Sequence, residues 1–304
     1  MKRVLLAIIV LVGFQELTAQ YTDIINSKRP GFSESPYSVG RGVYQFETGL
    51  FYKNTKSELL SAYPNSFGGE LFFRISPLLE NLEINLNAVY QADEVQNPFG
   101  DNYFNSGFSN LRLGAKYLIF QQEFTDKSKE IRSWKKRTSY DLKRLIPSVG
   151  VYAGVSTNLL TKDITEDGIR FKGAVLLQND FTDRLVVLTN LVVSDIASES
   201  MQYAYIVTMT YALSYKWSFF VENTGKFETG YSPEYQLGAG FAYLISPDLQ
   251  IDASYRTNIF DNYSYNYFSA GASFRIDRHQ DDLIETHVQT KTKKGFFSKI
   301  FGKK

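Results

Sequence analysis

From residue 43 onward, apolar residues recur at every second position rather than at helical spacing. The stretch 82–91 shows this most plainly: Leu82, Ile84, Leu86, Ala88 and Tyr90 alternate with Glu83, Asn85, Asn87, Val89 and Gln91. Successive side chains of a strand point to opposite faces, so one face is apolar and the other carries charges and amides. The alternation recurs in 44–53, 70–75, 110–119, 148–156, 172–180, 185–194, 205–214, 217–222, 237–245, 251–259 and 268–276. The pattern predicts twelve strands of about 9–13 residues, the length a tilted strand needs to cross a bilayer.

A soluble sandwich also alternates, but its strands usually run to about 5–6 residues, and a dry core does not accept unpaired charges in mid-strand. The connections alternate as well. Short turns fall at 76–81, 182–184, 214–215 and 246–248, and longer polar loops at 54–65, 92–106, 161–170, 196–201, 228–234 and 261–266. Short on one side and long on the other is the outer-membrane arrangement, and closure removes the open edges. The predicted fold is all-β, an antiparallel transmembrane β-barrel of about 12 strands over residues 41–277. Motifs repeat weakly within it: Ile75-Ser76-Pro77 returns as Ile245-Ser246-Pro247, and Leu113-Gly114-Ala115 as Leu237-Gly238-Ala239.

The two ends differ from the body. Lys2 and Arg3 precede an apolar run, Val4 to Phe14, too short to span a bilayer as a helix, and Leu17-Thr18-Ala19 resembles a cleavage site. Residues 1–19 therefore read as a signal peptide. Residues 20–40 form a polar periplasmic leader or plug, in which Arg29, Pro30, Glu34 and Pro36 are the candidate plug residues; Arg29 or Glu34 is expected to pair with lumen charges. The tail 278–304 is basic: from Glu285 onward six lysines face one acid. The connection 121–145, on the side of the short turns, is basic too. Lys135, Lys136 and Arg137 with Lys293 and Lys294 are candidate docking residues for a periplasmic partner or for headgroups. With an even strand number both termini fall on the short-turn side, which export makes periplasmic.

Composition narrows the chemistry. The 304 residues contain no Cys and two His, and 21 Tyr, 24 Phe and 2 Trp make 15% of the chain aromatic. Without Cys there is no disulfide scaffold, thiol nucleophile or thiolate metal site. His279 and His287 both follow the last strand, so no strand offers the His that barrel hydrolases need, and a non-enzymatic chain without cofactor or metal is expected. Lys plus Arg (33) nearly equal Asp plus Glu (32). The polar faces carry a balanced set: Glu47, Glu70, Glu83, Asp180, Glu222 and Asp252 against Arg74, Arg112, Lys116, Lys172, Arg256 and Arg275. A strongly ion-selective pore shows one dominant sign, so these candidate lumen-lining residues read as cross-strand pairs bracing a narrow polar conduit.

Arg29-Pro30-Gly31-Phe32-Ser33-Glu34-Ser35-Pro36-Tyr37, followed by Gly42-Val43-Tyr44-Gln45-Phe46-Glu47-Thr48-Gly49, resembles the opening of the outer-membrane transporter family linked to the MetA pathway of phenol degradation. Asn110-Leu111-Arg112-Leu113-Gly114-Ala115-Lys116-Tyr117 and Gly271-Ala272-Ser273-Phe274-Arg275 are similar to inner and closing strands of that family. The insertion 121–145 and the tail after Ile276 depart from the family pattern. The resemblance implies an outer-membrane barrel carrying small aromatic or apolar molecules. Two readings follow. One is passive transport of a small solute through a narrow lumen in the outer membrane of a Gram-negative bacterium, with lipid and solute as partners and no nucleic acid. The alternative is a structural or accessory barrel subunit of an outer-membrane complex, docking a protein partner through its basic loop and tail.

Overall fold

The structure, a computed structural model, describes residues 24–56, 65–95, 100–122, 140–157, 168–196, 201–259 and 264–279. Twelve strands close into one antiparallel barrel in sequence order, β1 pairing with β12. They are β1 (Val43–Lys56), β2 (Asn65–Ile75), β3 (Leu82–Val95), β4 (Tyr103–Phe120), β5 (Ser148–Ser156), β6 (Arg170–Asp180), β7 (Leu185–Ile196), β8 (Gln202–Ala212), β9 (Trp217–Glu228), β10 (Glu234–Ser246), β11 (Leu249–Ile259) and β12 (Ser264–Asp277). The closing β1–β12 ladder runs unbroken from Val43↔Asp277 to Lys56↔Ser264. Residue 43 and residue 277 thus share one rim with the short connections, the turn rim; the long connections leave the opposite, loop rim.

Some strands outrun the sequence expectation. β1, β3 and β12 span 14 residues and β4 spans 18. The excess lies toward the loop rim, where β3 and β4 stay paired through Val95↔Tyr103 although Asp93, Glu94, Asn105 and Ser106 interrupt the apolar pattern there. Backbone pairing outlasts the apolar pattern because each ladder hydrogen bond satisfies groups that would otherwise need water. Register shifts at Val89/Tyr90, Leu118/Phe120, Phe171/Gly173 and Leu244/Ser246 bend the wall locally.

The outer wall is apolar. Leu50, Leu113, Leu191, Leu237 and Phe241 lie between 45% and 61% exposed. A continuous belt of this kind is stable only against lipid. Aromatic residues stand opposite one another across neighbouring strands: Phe46 and Phe73 with centroids 4.8 Å apart, Trp217 and Tyr243 at 4.7 Å, Tyr255 and Phe268 at 4.9 Å. Such pairs add cross-strand attraction to their area and form the girdles of the wall.

Outside the wall, a short 3-10 turn, η1 (Leu142–Leu145), follows Asp141, whose carboxylate accepts the Lys143 amide. Arg144 ties it to Asp183 in the β6–β7 turn. Lys135, Lys136, Arg137, Lys293, Lys294 and His287, like the signal segment 1–19, lie outside the described residues.

Candidate functional site

The inner wall is organised around residues 25–42. This leader enters at the turn rim, where the Ile25 amide donates to the Pro247 carbonyl at 2.8 Å. It then meets the strands in descending order. The Ser27 hydroxyl lies 2.6 Å from that of Ser273 on β12. Arg29 donates to both carboxylate oxygens of Asp252 on β11, at 3.0 and 3.3 Å, and to the Ser269 hydroxyl at 2.9 Å, and it pairs with Glu70 on β2. The Phe32 and Ser33 amides donate to Glu222 on β9. Glu34 is clamped by Asn190 on β7, its amide donating at 2.6 Å and its carbonyl accepting at 2.9 Å. Ser35 donates to Gln178 on β6, and Tyr37 meets Ser148 on β5 at 2.7 Å. The Val39 amide reaches Glu83 on β3. Gly40 and Gly42, at φ 87° and 81°, turn the chain into β1; a Cβ at Gly42 would sit 2.9 Å from the Arg278 carbonyl. The leader makes one circuit of the lumen and returns to the rim it entered by.

Three buried carboxylates hold this circuit, and each receives leader backbone amides together with a strand cation. Glu47 accepts from the Ser27 hydroxyl and from the Lys28 and Arg29 amides, with Arg74 at 3.2 Å. Glu222 accepts from Phe32, Ser33 and Thr208, with Arg256 at 3.3 Å. Glu83 accepts from Val39, with Arg74 at 2.8 Å and Lys116 at 3.2 Å. Desolvating a carboxylate costs several kcal/mol, and one cation rarely repays it unless the remaining lone pairs are also satisfied. The leader amides supply those remaining bonds. Arg256 also lies 3.8 Å from the Phe32 ring centroid and donates to the Pro30 carbonyl, so a cation–π contact pins the ring.

None of the twelve charged candidates faces outward. Arg74, Glu47, Glu83 and Lys116 form one cluster, Arg256 and Glu222 a second, and Glu70 and Asp252 both meet Arg29. Arg112 and Lys172 lie apart, nearer the loop rim. Asp180 and Arg275 are not in mid-strand: Asp180 is the last residue of β6, and Arg275 pairs with Asp248 in the β10–β11 turn at 2.7 Å. Both belong to the turn rim, where a short turn brings its own charges within reach. Within the leader, Glu34 pairs with Lys28 at 2.9 Å, Pro36 packs on Gly150, and the Arg29–Pro30 bond is cis.

The sequence pattern concealed the apolar part of the lumen. A cavity of about 250 Å³ lies between the leader and the inner faces of β7–β10, lined by Val186, Leu188, Thr208, Thr210, Phe220 and Ala242 among others. Alternation marks the lipid face but hides apolar residues on the other. The available signal was the nearly unbroken apolar run Leu185–Val193, because a strand apolar on both faces has an apolar inner face too. A second recess of about 190 Å³ lies at Arg112, Ser156, Arg170, Lys172, Ser194 and Asp195. Among the described residues, no cluster of three His, Asp or Glu side chains suits a metal ion.

A closed barrel with a lipid-facing belt and a segment fastened inside its lumen defines a membrane-spanning β-barrel. The family model described as "Putative MetA-pathway of phenol degradation" matches residues 27–276, and the chain belongs to that family. No curated protein matches the sequence. Among solved structures, an outer membrane channel from Pseudomonas putida F1 is similar at 8% identity and a TM-score of 0.54, covering 83% of this chain and 100% of its own. The NanC porin is similar at 13% identity and a TM-score of 0.47, covering 75% of this chain and 100% of its own. The CymD monoaromatic hydrocarbon channel is similar at 12% identity and a TM-score of 0.42, covering 79% of this chain and 90% of its own. At these identities the likeness is one of fold.

Proposed function

We propose that the barrel is an outer-membrane channel for passive transport of a small aromatic or apolar solute, with the leader as its internal plug. The carrying observation is the cavity beside the leader, whose wall side joins Val186, Leu188, Phe220 and Ala242 to threonine hydroxyls and whose leader side carries Lys28, Arg29 and Glu34. The apolar body of a solute finds on the β7–β10 side a surface that water competes for poorly, with polar groups opposite to orient it. Family membership supports an aromatic solute, and the fold shared with the P. putida channel supports passage across the outer membrane. In this reading the turn rim is periplasmic and both termini lie in the periplasm. The balanced charges of the inner wall serve the leader rather than ion selectivity. Arg29 and Phe32 are its anchors, and a solute passes when the segment from Pro30 to Ser35 shifts from the wall.

The test is single-channel conductance and solute uptake by the purified, reconstituted barrel, with and without residues 21–37. Low conductance in the full chain and a clear rise on deletion are expected. No conductance and no uptake in either form overturns the transport reading.

A further inference from the structure

We propose that the recess near the loop rim is a binding station for the carboxylate of an organic monoacid, which makes the solute class an aromatic or apolar carboxylate. The inference rests on the transport reading for its role, but its binding chemistry stands on the recess alone. Three cations surround the recess, Arg112 from β4 and Arg170 and Lys172 from β6, against one acid, Asp195 at the end of β7. Arg170 and Asp195 face each other at 3.6 Å, which leaves two positive charges over. Arg112 spends only its Nε, donating to the Ser156 hydroxyl at 2.8 Å. Its two terminal nitrogens have no acceptor among the described residues. Lys172 is in the same position: its Nζ lies 5.8 Å from the Tyr152 ring centroid and has no carboxylate within bonding distance among the described residues.

Toward the turn rim, each buried lumen cation among the described residues has its acid. Arg74 has Glu47 and Glu83, Lys116 has Glu83, Arg256 has Glu222, Arg29 has Glu70 and Asp252, and Arg275 has Asp248. Toward the loop rim the pairing lapses: Lys53 on β1 lies 4.5 Å from the Tyr265 ring centroid with no carboxylate within bonding distance among the described residues, and at Arg112 and Lys172 a cavity adjoins the unpaired cations. A planar guanidinium with two free terminal NH2 groups and an ammonium beside it match a carboxylate, which accepts on both oxygens. The solute's body is set by what lies next along the wall. Toward the turn rim, β6 and β7 turn Ala174 and Val192 inward, then Leu176 level with the Asn190–Glu34 clamp, and Leu188 and Val186 follow beyond it. An acid held at Arg112 and Lys172 thus directs its apolar end toward the plug, and it reaches the packed Val192 and Leu176 when the leader shifts from the wall.

The experiment is isothermal titration of the detergent-solubilised full chain with sodium benzoate at neutral pH and fixed chloride. Benzyl alcohol and inorganic phosphate serve as comparison probes. Saturable benzoate binding is expected, weakened about ten-fold by Lys172→Gln or by Arg112→Gln, the loss of one charge-assisted hydrogen-bond donor set. Arg275→Gln, at the other rim, should leave it unchanged. Folding of each variant is read from its unheated migration in SDS gels, and Ser156→Ala, which frees the Arg112 Nε without removing charge, should weaken binding less than Arg112→Gln does. No saturable benzoate binding, or an affinity unchanged from the parent in both Lys172→Gln and Arg112→Gln, overturns the proposal. Phosphate binding as tightly as benzoate overturns the carboxylate assignment in favour of an unselective anion patch. The two readings fail separately: benzoate binding without conductance in any form removes transport and leaves the station, while conductance without benzoate binding does the reverse.

Discussion

Gly49 and Gly271 are direct partners across β1 and β12, and the Arg29 guanidinium lies flat over the pair. A Cβ at Gly49 would come within 2.3 Å of Arg29 Nη1, and one at Gly271 within 2.6 Å of its Nε. The guanidinium reaches Asp252 and Glu70 only because both positions lack a side chain. Two glycines in the wall thus set the seat of a residue far from them in contact order. Elsewhere Phe51 lies over Gly68 and Phe220 over Gly240 in the same way. Bare backbone on one strand gives room for a large inward side chain on its neighbour.

Gly49→Ala should unseat the leader without disturbing the barrel. The chain has no Cys, so Ser33→Cys creates a unique thiol at a position only 2% exposed. In the Ser33→Cys background a membrane-impermeant maleimide should label slowly. Adding Gly49→Ala should raise the rate about ten-fold or more, as a locally opened state becomes populated. An unchanged rate, with the barrel still folded, would mean that Arg29 does not need this seat.

Glu222 joins leader and wall at one carboxylate, and Glu222→Gln should show how strongly. The substitution leaves Arg256 buried without its acid, a change of about 3–5 kcal/mol for a broken buried pair. Denaturant unfolding in detergent should show that loss. Adding Arg256→Met should recover much of it, because the charge that was left unpaired is then gone. If the double variant is no more stable than the single one, the penalty lies in the lost leader amide bonds instead.

The barrel was legible in the sequence because its two faces meet different solvents. Lipid demands apolar residues at every second position, and the residues between them are free to carry charge, so Leu82–Gln91 alone displayed the period. The strand count and the sides of the loops followed. What the pattern could not give was pairing in three dimensions. Glu47 and Glu83 balance cations on neighbouring strands as the pattern suggested, while Glu222 meets Arg256 two strands away, across Gly238 on β10, and each also accepts amides from a segment between 18 and 190 residues away along the chain. Backbone donors leave no mark in a sequence. Phe32 was hidden for another reason: a single aromatic in a polar stretch has no period, and its role shows in the Arg256 guanidinium over its ring and the Tyr267 ring at its edge.

The lipid face has its own test. Leu113 is 59% exposed on β4, between the inward Arg112 and Gly114. Leu113→Arg should destabilise the barrel by about 2–4 kcal/mol, the cost of a cation near the bilayer midplane. Phe104→Arg, further along β4 toward the loop rim, should cost about 0–1 kcal/mol, because a side chain near the interface reaches water. Both are read as folded fraction in lipid vesicles across a denaturant series. Equal penalties at the two positions would place Leu113 away from the centre of the membrane.

Acid should release the leader over a defined window. Burial alone would push the Glu34 carboxyl up, but the charges of Lys28, Lys116 and Lys172 outweigh it and hold the group at about 2 against an ordinary 4.5. Because the seated form has the lower pKa, its extra stability is complete above about 4.5 and is lost as the pH falls through that value toward 2. The Ser33→Cys position carrying an environment-sensitive fluorophore reports seating without relying on thiol chemistry in acid. In the parent the signal should hold steady from neutral pH to about 5 and then change below it. Other carboxylates titrate in the same range, so the comparison that decides is with Glu34→Gln. That variant has no charge to lose at this site and should start with a weaker seat and show a shallower acid transition. Identical acid transitions in parent and variant would remove Glu34 from the fastening of the plug.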